Sequence, residues 1–200
     1  MKLLIFSFFL LFISISEARS VNDSVLDIDG NKLRVGSKYY ILPVRRGSGG
    51  GVTTGPKSKH GSCSTAVVQD PFEVSLGTPV VFLPASGQKS GVVRLSTDLN
   101  FKFQYGAKCS SSPIWKLGDY DDVKKQYFVQ TGGIQGHPGP GNTGSWFKIE
   151  KNGEDYNIRF CPTVCDFCKV ICRDVGIYLD GNVRRLALSD TPFRVFFKKV

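Results

Sequence analysis

Phe101-Lys102-Phe103-Gln104-Tyr105 sets Phe101, Phe103 and Tyr105 against Lys102 and Gln104. Trp146-Phe147-Lys148-Ile149-Glu150 likewise sets Phe147 and Ile149 against Lys148 and Glu150. Successive side chains leave a pleated strand on opposite sides, so this alternation marks strands with one face in a core. Similar short apolar or aromatic runs fall at 38–42, 65–69, 80–83, 92–96, 114–117, 127–131, 156–160, 176–179, 185–188 and 194–197. With the first two they make twelve candidates, most of them bounded by Gly, Pro, Asp, Asn or Ser. No window of ten or more residues carries a helical apolar stripe. The reading is all-β, a sandwich or barrel, and twelve is the strand count of a β-trefoil. No repeat of about 60 residues is visible in the sequence. Segments 47–61, 84–91 and 132–144 are rich in Gly, Ser and Pro and read as loops.

The composition agrees with many turns: 22 Gly and 10 Pro stand against one Met among 200 residues. Hydrophobic residues are 41% and charged residues 22%, which excludes a disordered chain, and a mean hydropathy of -0.09 excludes a multi-pass membrane protein. Lys2, the apolar run 3–15 and the small residues Ser16 and Ala18 read as a secretory signal peptide over 1–18, too short to span a bilayer. A single domain is expected over 19–200. The leader carries one cation, Lys2, and one anion, Glu17, so its removal leaves the net charge at +9. The expected location is extracellular, in the apoplast, or vacuolar, and Asn22-Asp23-Ser24 is a glycosylation sequon.

Secretion changes how six cysteines are read, because an even count in an oxidising compartment implies disulfides. Cys161, Cys165, Cys168 and Cys172 are spaced symmetrically about Asp166-Phe167, so the outer and inner pairs have the same residue-number sum. Opposed residues of an antiparallel hairpin share that property. A hairpin turning at Asp166-Phe167 would therefore stack Cys165–Cys168 inside Cys161–Cys172, leaving Cys63 with Cys109, for three disulfides. Zinc binding and C-x-x-C redox chemistry compete for the same residues; zinc sites usually have longer gaps between ligand pairs, and secretion favours oxidation.

No catalytic constellation emerges. His60 and His137 both lie in Gly-rich loops, no G-x-S-x-G elbow exists, and neither a P-loop nor a dinucleotide fingerprint is present. Asp119, Asp121 and Asp122 read as a solvated turn rather than an acid/base or calcium site. The cations at Arg45-Arg46, Lys57/Lys59, Lys124-Lys125, Arg184-Arg185 and Lys198-Lys199 are spread along the chain, without the one-faced, aromatic-lined pattern of a nucleic-acid surface. Trp115 and Trp146 are the large rings available for stacking on a sugar, and each sits inside a strand pattern, which favours the core. The reading is of a monomer that is not an enzyme and needs no cofactor or metal.

Val25-Leu-Asp-Ile-Asp-Gly-Asn-Lys-Leu33 followed by Tyr39-Tyr-Ile41 resembles the N-terminal signature of plant Kunitz-type (soybean trypsin inhibitor) proteins. The resemblance continues through Cys63 to Val67-Val-Gln69, Trp146-Phe-Lys-Ile149, Phe160-Cys-Pro162, Asp174-Val-Gly-Ile177 and Arg184-Arg-Leu-Ala-Leu-Ser189. The segment 161–172 resembles the miraculin-like branch, which has the extra inner cysteine pair. The resemblance implies a β-trefoil with Cys63–Cys109, Cys161–Cys172 and Cys165–Cys168. It also implies inhibition of an endopeptidase, a trypsin-like serine protease or a cysteine protease, in plant defence. The serine-protease mechanism is substrate mimicry by a loop between the fourth and fifth strands, which matches 84–91. Counting back from Phe103 puts the P1 residue at Lys89 and P1′ at Ser90, and a P1 lysine suits the buried aspartate of a trypsin-like pocket. Two departures stand beside this match. The loop is longer and richer in Gly and Ser than in typical trypsin inhibitors, and Val35 occupies the place of an asparagine whose side chain braces the loop. A carbohydrate- or receptor-binding trefoil and a stress or storage protein are the alternative functions.

Overall fold

The computed structural model describes residues 24–55, 64–104 and 112–200. The expected leader at 1–18, the sequon at Asn22 and the expected Cys63–Cys109 bridge lie outside these residues. The described residues form twelve strands: β1 Lys38–Pro43, β2 Val52–Thr54, β3 Val67–Gln69, β4 Val80–Pro84, β5 Leu99–Phe103, β6 Trp115–Asp121, β7 Gln126–Thr131, β8 Lys148–Asn152, β9 Asp155–Phe160, β10 Arg173–Asp180, β11 Val183–Ser189 and β12 Val195–Lys199. One 3-10 turn, Pro140–Asn142, interrupts the loop between β7 and β8.

The pairing closes on itself. β1 pairs with β4, β4 with β5, β8 with β9, β9 with β12, and β12 with β1, all antiparallel. The remaining seam, between β5 and β8, is bridged at Leu99 and Phe147, with N–H to carbonyl distances of 2.8 and 3.0 Å. These six strands form a barrel with no open edge. The hairpins β2–β3, β6–β7 and β10–β11 cap it. They meet one another as β11 against β3, β11 against β7, and Ala66 against Gln130. Three successive four-strand units, β1–β4, β5–β8 and β9–β12, thus have the same layout, two barrel strands flanking one cap hairpin. This is a β-trefoil.

The alternation in sequence explains the inside of the barrel. Phe82, Phe101, Phe103, Phe147 and Phe197 are fully buried, as is Trp115 between them. Phe82 meets Phe101 at 4.9 Å and Phe197 at 5.4 Å between ring centroids, edge to face. Phe101 meets Phe147 at 5.8 Å, and Phe147 meets Phe160 at 5.4 Å. The rings therefore run from β12 through β4 and β5 to β9, and such contacts contribute beyond their burial.

Two expectations about the strands need correction. The run at 92–96 is not a strand. It makes only isolated bridges, Arg34 to Val92 and Ser24 to Arg94, because it serves as one arm of a loop laid against the N-terminal segment. Conversely, the loop expected at 47–61 contains β2, whose Val52 is fully buried and pairs with Gln69. The glycines before β2 serve close packing. A Cβ at Gly51 would stand 2.1 Å from the carbonyl oxygen of Leu76, so the two backbones touch where only glycine fits.

The structure contains Cys161–Cys172, with Cα atoms 4.3 Å apart, and Cys165–Cys168, at 5.4 Å. The hairpin expected around them is a loop. The β9–β10 ladder ends at Phe160 opposite Arg173, one residue outside the outer bridge, and from there the cysteines replace hydrogen bonds as the cross-links. The two bridges close loops of very different length, with sequence separations of 11 and 3. On the loop-entropy account the outer bridge stabilises by about 3 kcal/mol and the inner by about 2 kcal/mol. Replacing Cys161 and Cys172 together by alanine is expected to lower the denaturation midpoint more than replacing Cys165 and Cys168 together, as measured by guanidinium unfolding under oxidising conditions.

Candidate functional site

The loop between β4 and β5 leaves the barrel at a closed base. The last rung of the hairpin is Pro84 opposite Leu99, and the Ala85 N–H adds a bond to the Asp98 carbonyl at 2.9 Å. A turn follows, with the Gly87 N–H on the Pro84 carbonyl at 3.1 Å. Ser86 through Gly91 are then all exposed. Gln88, Lys89 and Ser90 make no hydrogen bond or ion pair with other described residues. Lys89 and Ser90 therefore stand at the apex of the loop with their side chains uncommitted.

Beyond the apex the chain is fastened again. Gly91, with φ of +120°, turns it into the bridge with the N-terminal segment. The Val35 N–H donates to the Gly91 carbonyl at 3.0 Å, Val93 N–H to Leu33 at 2.9 Å, and Val25 N–H to Val93 at 3.0 Å. Val35 is buried, and its side chain belongs to the core. Its main chain still braces the loop, through a bond that does not depend on side-chain identity.

The returning arm is held from the other side. Ser96 N–H donates to the Ile149 carbonyl at 3.0 Å, and the Ser96 hydroxyl donates to Glu150 at 2.5 Å. Asp98 accepts from the Thr163 hydroxyl at 2.7 Å and from the Thr163 N–H at 3.1 Å. Lys148 donates to the Thr163 hydroxyl oxygen at 3.0 Å and lies 3.8 Å from Asp98, with both side chains about nine-tenths buried. Thr163 belongs to the doubly cross-linked loop, so that loop props the base of the β4–β5 loop. Sequence reading missed this cluster. Asp98, Lys148 and Thr163 are far apart in the chain, and no local pattern links them.

Other residues singled out from the sequence have structural places. Trp115 and Trp146 are fully buried, which removes both rings as a sugar-stacking platform. Asp121 accepts from the Val123 and Lys124 N–H groups at 3.0 and 2.9 Å, closing the β6–β7 turn. His137 is exposed in the β7–β8 loop, and His60 lies outside the described residues. Among the described residues no group of three or more His, Cys, Asp or Glu could hold a metal. Among the described residues no helix is long and apolar enough to cross a membrane.

The sequence profile described as "Trypsin and protease inhibitor" matches residues 25–199. The chain belongs to the plant Kunitz-type family of protease inhibitors. This Kunitz-type chain is 48% identical to Kunitz trypsin inhibitor 5 of Arabidopsis thaliana, over 100% of its own length and 99% of that protein's. It is 49% identical to miraculin of Synsepalum dulcificum, over 92% of its own length and 87% of the other's. Among solved structures it is similar to the Kunitz-type cysteine protease inhibitor PCPI-3 from potato. The TM-score is 0.75 at 34% identity, covering 88% of this chain and 97% of that one.

One cluster of ion pairs in this Kunitz-type chain lies away from the loop. Asp180 accepts from Lys124 and, at 3.1 Å, from Arg185. The hydrogen bond from Lys124 is the main reason its carboxyl sits below the usual carboxylate range, with Arg185 adding to it and burial opposing it. Lys124 is raised in turn, first by the bond to Asp180. Because the folded carboxyl titrates lower than the unfolded one, its stabilisation is complete above about pH 4 and is lost as pH falls through the folded value. Asp180→Asn is expected to be less stable than wild type at pH 7, by about 0.5–1 kcal/mol. The difference should shrink towards zero as thermal unfolding is followed down to strongly acid pH.

Proposed function

We propose that this chain inhibits a trypsin-like serine endopeptidase by presenting Lys89 at P1 and Ser90 at P1′. The observation that supports this reading is the uncommitted apex from Gln88 to Ser90, standing on a base and two arms that are hydrogen-bonded to the barrel. A substrate-like segment already ordered before it meets the enzyme loses less conformational entropy on binding. Each backbone residue that must be ordered costs about 1–2 kcal/mol, so fixing the flanks decides whether such a loop binds tightly. A long cation at the apex suits an apolar-walled pocket with an aspartate at its base, where the charge pair forms away from water. The chain is read as a secreted defence protein, with the leader over 1–18 directing it out of the cell or to the vacuole.

A second reading is inhibition of a cysteine protease, for which the similarity to the potato inhibitor of that class speaks. In that case another surface makes the contact, and Lys89 is a solvated lysine.

The deciding experiment titrates trypsin with the mature oxidised protein beside Lys89→Ala. Near one-to-one inhibition by wild type is expected, with the inhibition constant of Lys89→Ala raised at least about a hundredfold, since a charged pair is lost from a desolvated pocket. Loss of inhibition by neither variant, or inhibition by neither, would sink the assignment.

The brace at the base gives an independent outcome. Thr163→Val removes the hydroxyl shared by Asp98 and Lys148 but keeps the side-chain shape. It is expected to raise the inhibition constant by about tenfold, in proportion to one charge-assisted hydrogen bond. It should also speed cleavage between Lys89 and Ser90 on long incubation with trypsin, read by mass spectrometry.

A further inference from the structure

A second concave site lies away from the β4–β5 loop, where the end of β1 and the loop after it meet β10, β11 and the link into β12. The cleft has a volume of about 450 Å³ and shares no lining residue with 84–99. Val44, Ile177 and Phe193 supply an apolar floor, and Arg45, Arg184 and Arg194 supply guanidinium groups. Among the described residues no acidic side chain lines it.

The three arginines are not equivalent. Arg194 is forked onto the carboxylate of Asp155, through Nε at 2.9 Å and through Nη2, so its charge is balanced. Arg184 gives its Nε to the side-chain oxygen of Gln69 at 2.8 Å, a neutral partner that orients the group and leaves its charge intact. The Arg45 side chain has no hydrogen bond or ion pair with other described residues. Two uncompensated cations thus border an apolar surface large enough for one or two rings, within the roughly 300–1,000 Å³ usual for small-ligand sites.

We propose that this cleft binds a small aromatic carboxylate, with the ring on Val44, Ile177 and Phe193 and the carboxylate between Arg45 and Arg184. The planar fork of a guanidinium matches a carboxylate with two parallel N–H bonds, which a solvated counterion does not reproduce. The apolar floor asks for a ring on the same molecule, because a bare anion would leave that surface wet. The site is independent of the protease-binding loop, so one molecule can occupy both.

The test is calorimetric titration of the mature oxidised protein with 2-naphthoate, with acetate and 2-naphthalenemethanol as the charge-only and ring-only probes. Saturable one-site binding of 2-naphthoate is expected for wild type and for Lys89→Ala. The affinity should fall about tenfold in Arg45→Gln and again in Arg184→Gln, and should weaken in high salt. Acetate and 2-naphthalenemethanol should each bind at least about tenfold more weakly. Arg45 is exposed at a loop, so Arg45→Gln tests the site without endangering the fold, and near-UV circular dichroism checks Arg184→Gln. Absence of saturable binding, equal affinity in Arg45→Gln, or equal binding of either partial probe overturns the proposal. Trypsin titration of the 2-naphthoate-saturated protein should match the unliganded protein, which keeps this outcome separate from the fate of the Lys89 assignment.

Discussion

A run of aromatic rings through the barrel, from Phe197 to Phe82, Phe101, Phe147 and Phe160, is the contact on which the rest of the molecule depends. Each ring comes from a different barrel strand or, for Phe147, from the residue just before β8, so the run can form only when the sheet has closed. Closure in turn pairs the backbone at every seam, including the short one between Leu99 and Phe147. Burial of the rings and satisfaction of the backbone are therefore one event. Removing any ring leaves a cavity that close-packed neighbours refill only in part.

That constraint fixes where the loops begin and end. β4 and β5 both contribute rings to the run, so Pro84 and Leu99, which bound the intervening loop, are held by the core beneath them. The loop then needs few additional ties. Main-chain bonds to Leu33 and Val35 hold one arm, and β8 with Thr163 of the cross-linked loop holds the other. The side chains at the apex remain uncommitted because every brace falls on the flanks. The two disulfides affect this geometry indirectly, by fixing the segment that carries Thr163.

Charge is arranged differently in different places. Lys124 and Arg185 share Asp180, and Arg194 is matched by Asp155, so these cations stabilise the fold. Arg185 also lies 3.6 Å from the centroid of the Phe128 ring, which packs it flat against the β7–β11 contact. Among the described residues Arg45 and Arg184 have no acidic partner, although they belong to the same dipeptide pairs, Arg45-Arg46 and Arg184-Arg185, that look alike in the sequence. A net charge of +9 does not distinguish these roles; the position of the nearest carboxylate does.

By itself the sequence determined the alternation at 101–105 and 146–150, eleven of the twelve strands and the pairing of the last four cysteines. These are local: a side chain's face follows from the pleat under it, and opposed residues of one hairpin share a constant sum. The loop carrying Lys89 was legible through its flanking strands and the family resemblance. The tertiary structure alone decided that Val52 to Thr54 would be a strand, because its glycine-rich approach is shaped by the backbone of Leu76 rather than by its own pattern. It alone brought Asp98, Lys148 and Thr163 together, and gathered Arg45, Arg184 and Phe193 around one cleft. The residues of these clusters come from different four-strand units, and the closing of the barrel, which no short-range periodicity records, sets the distances between them.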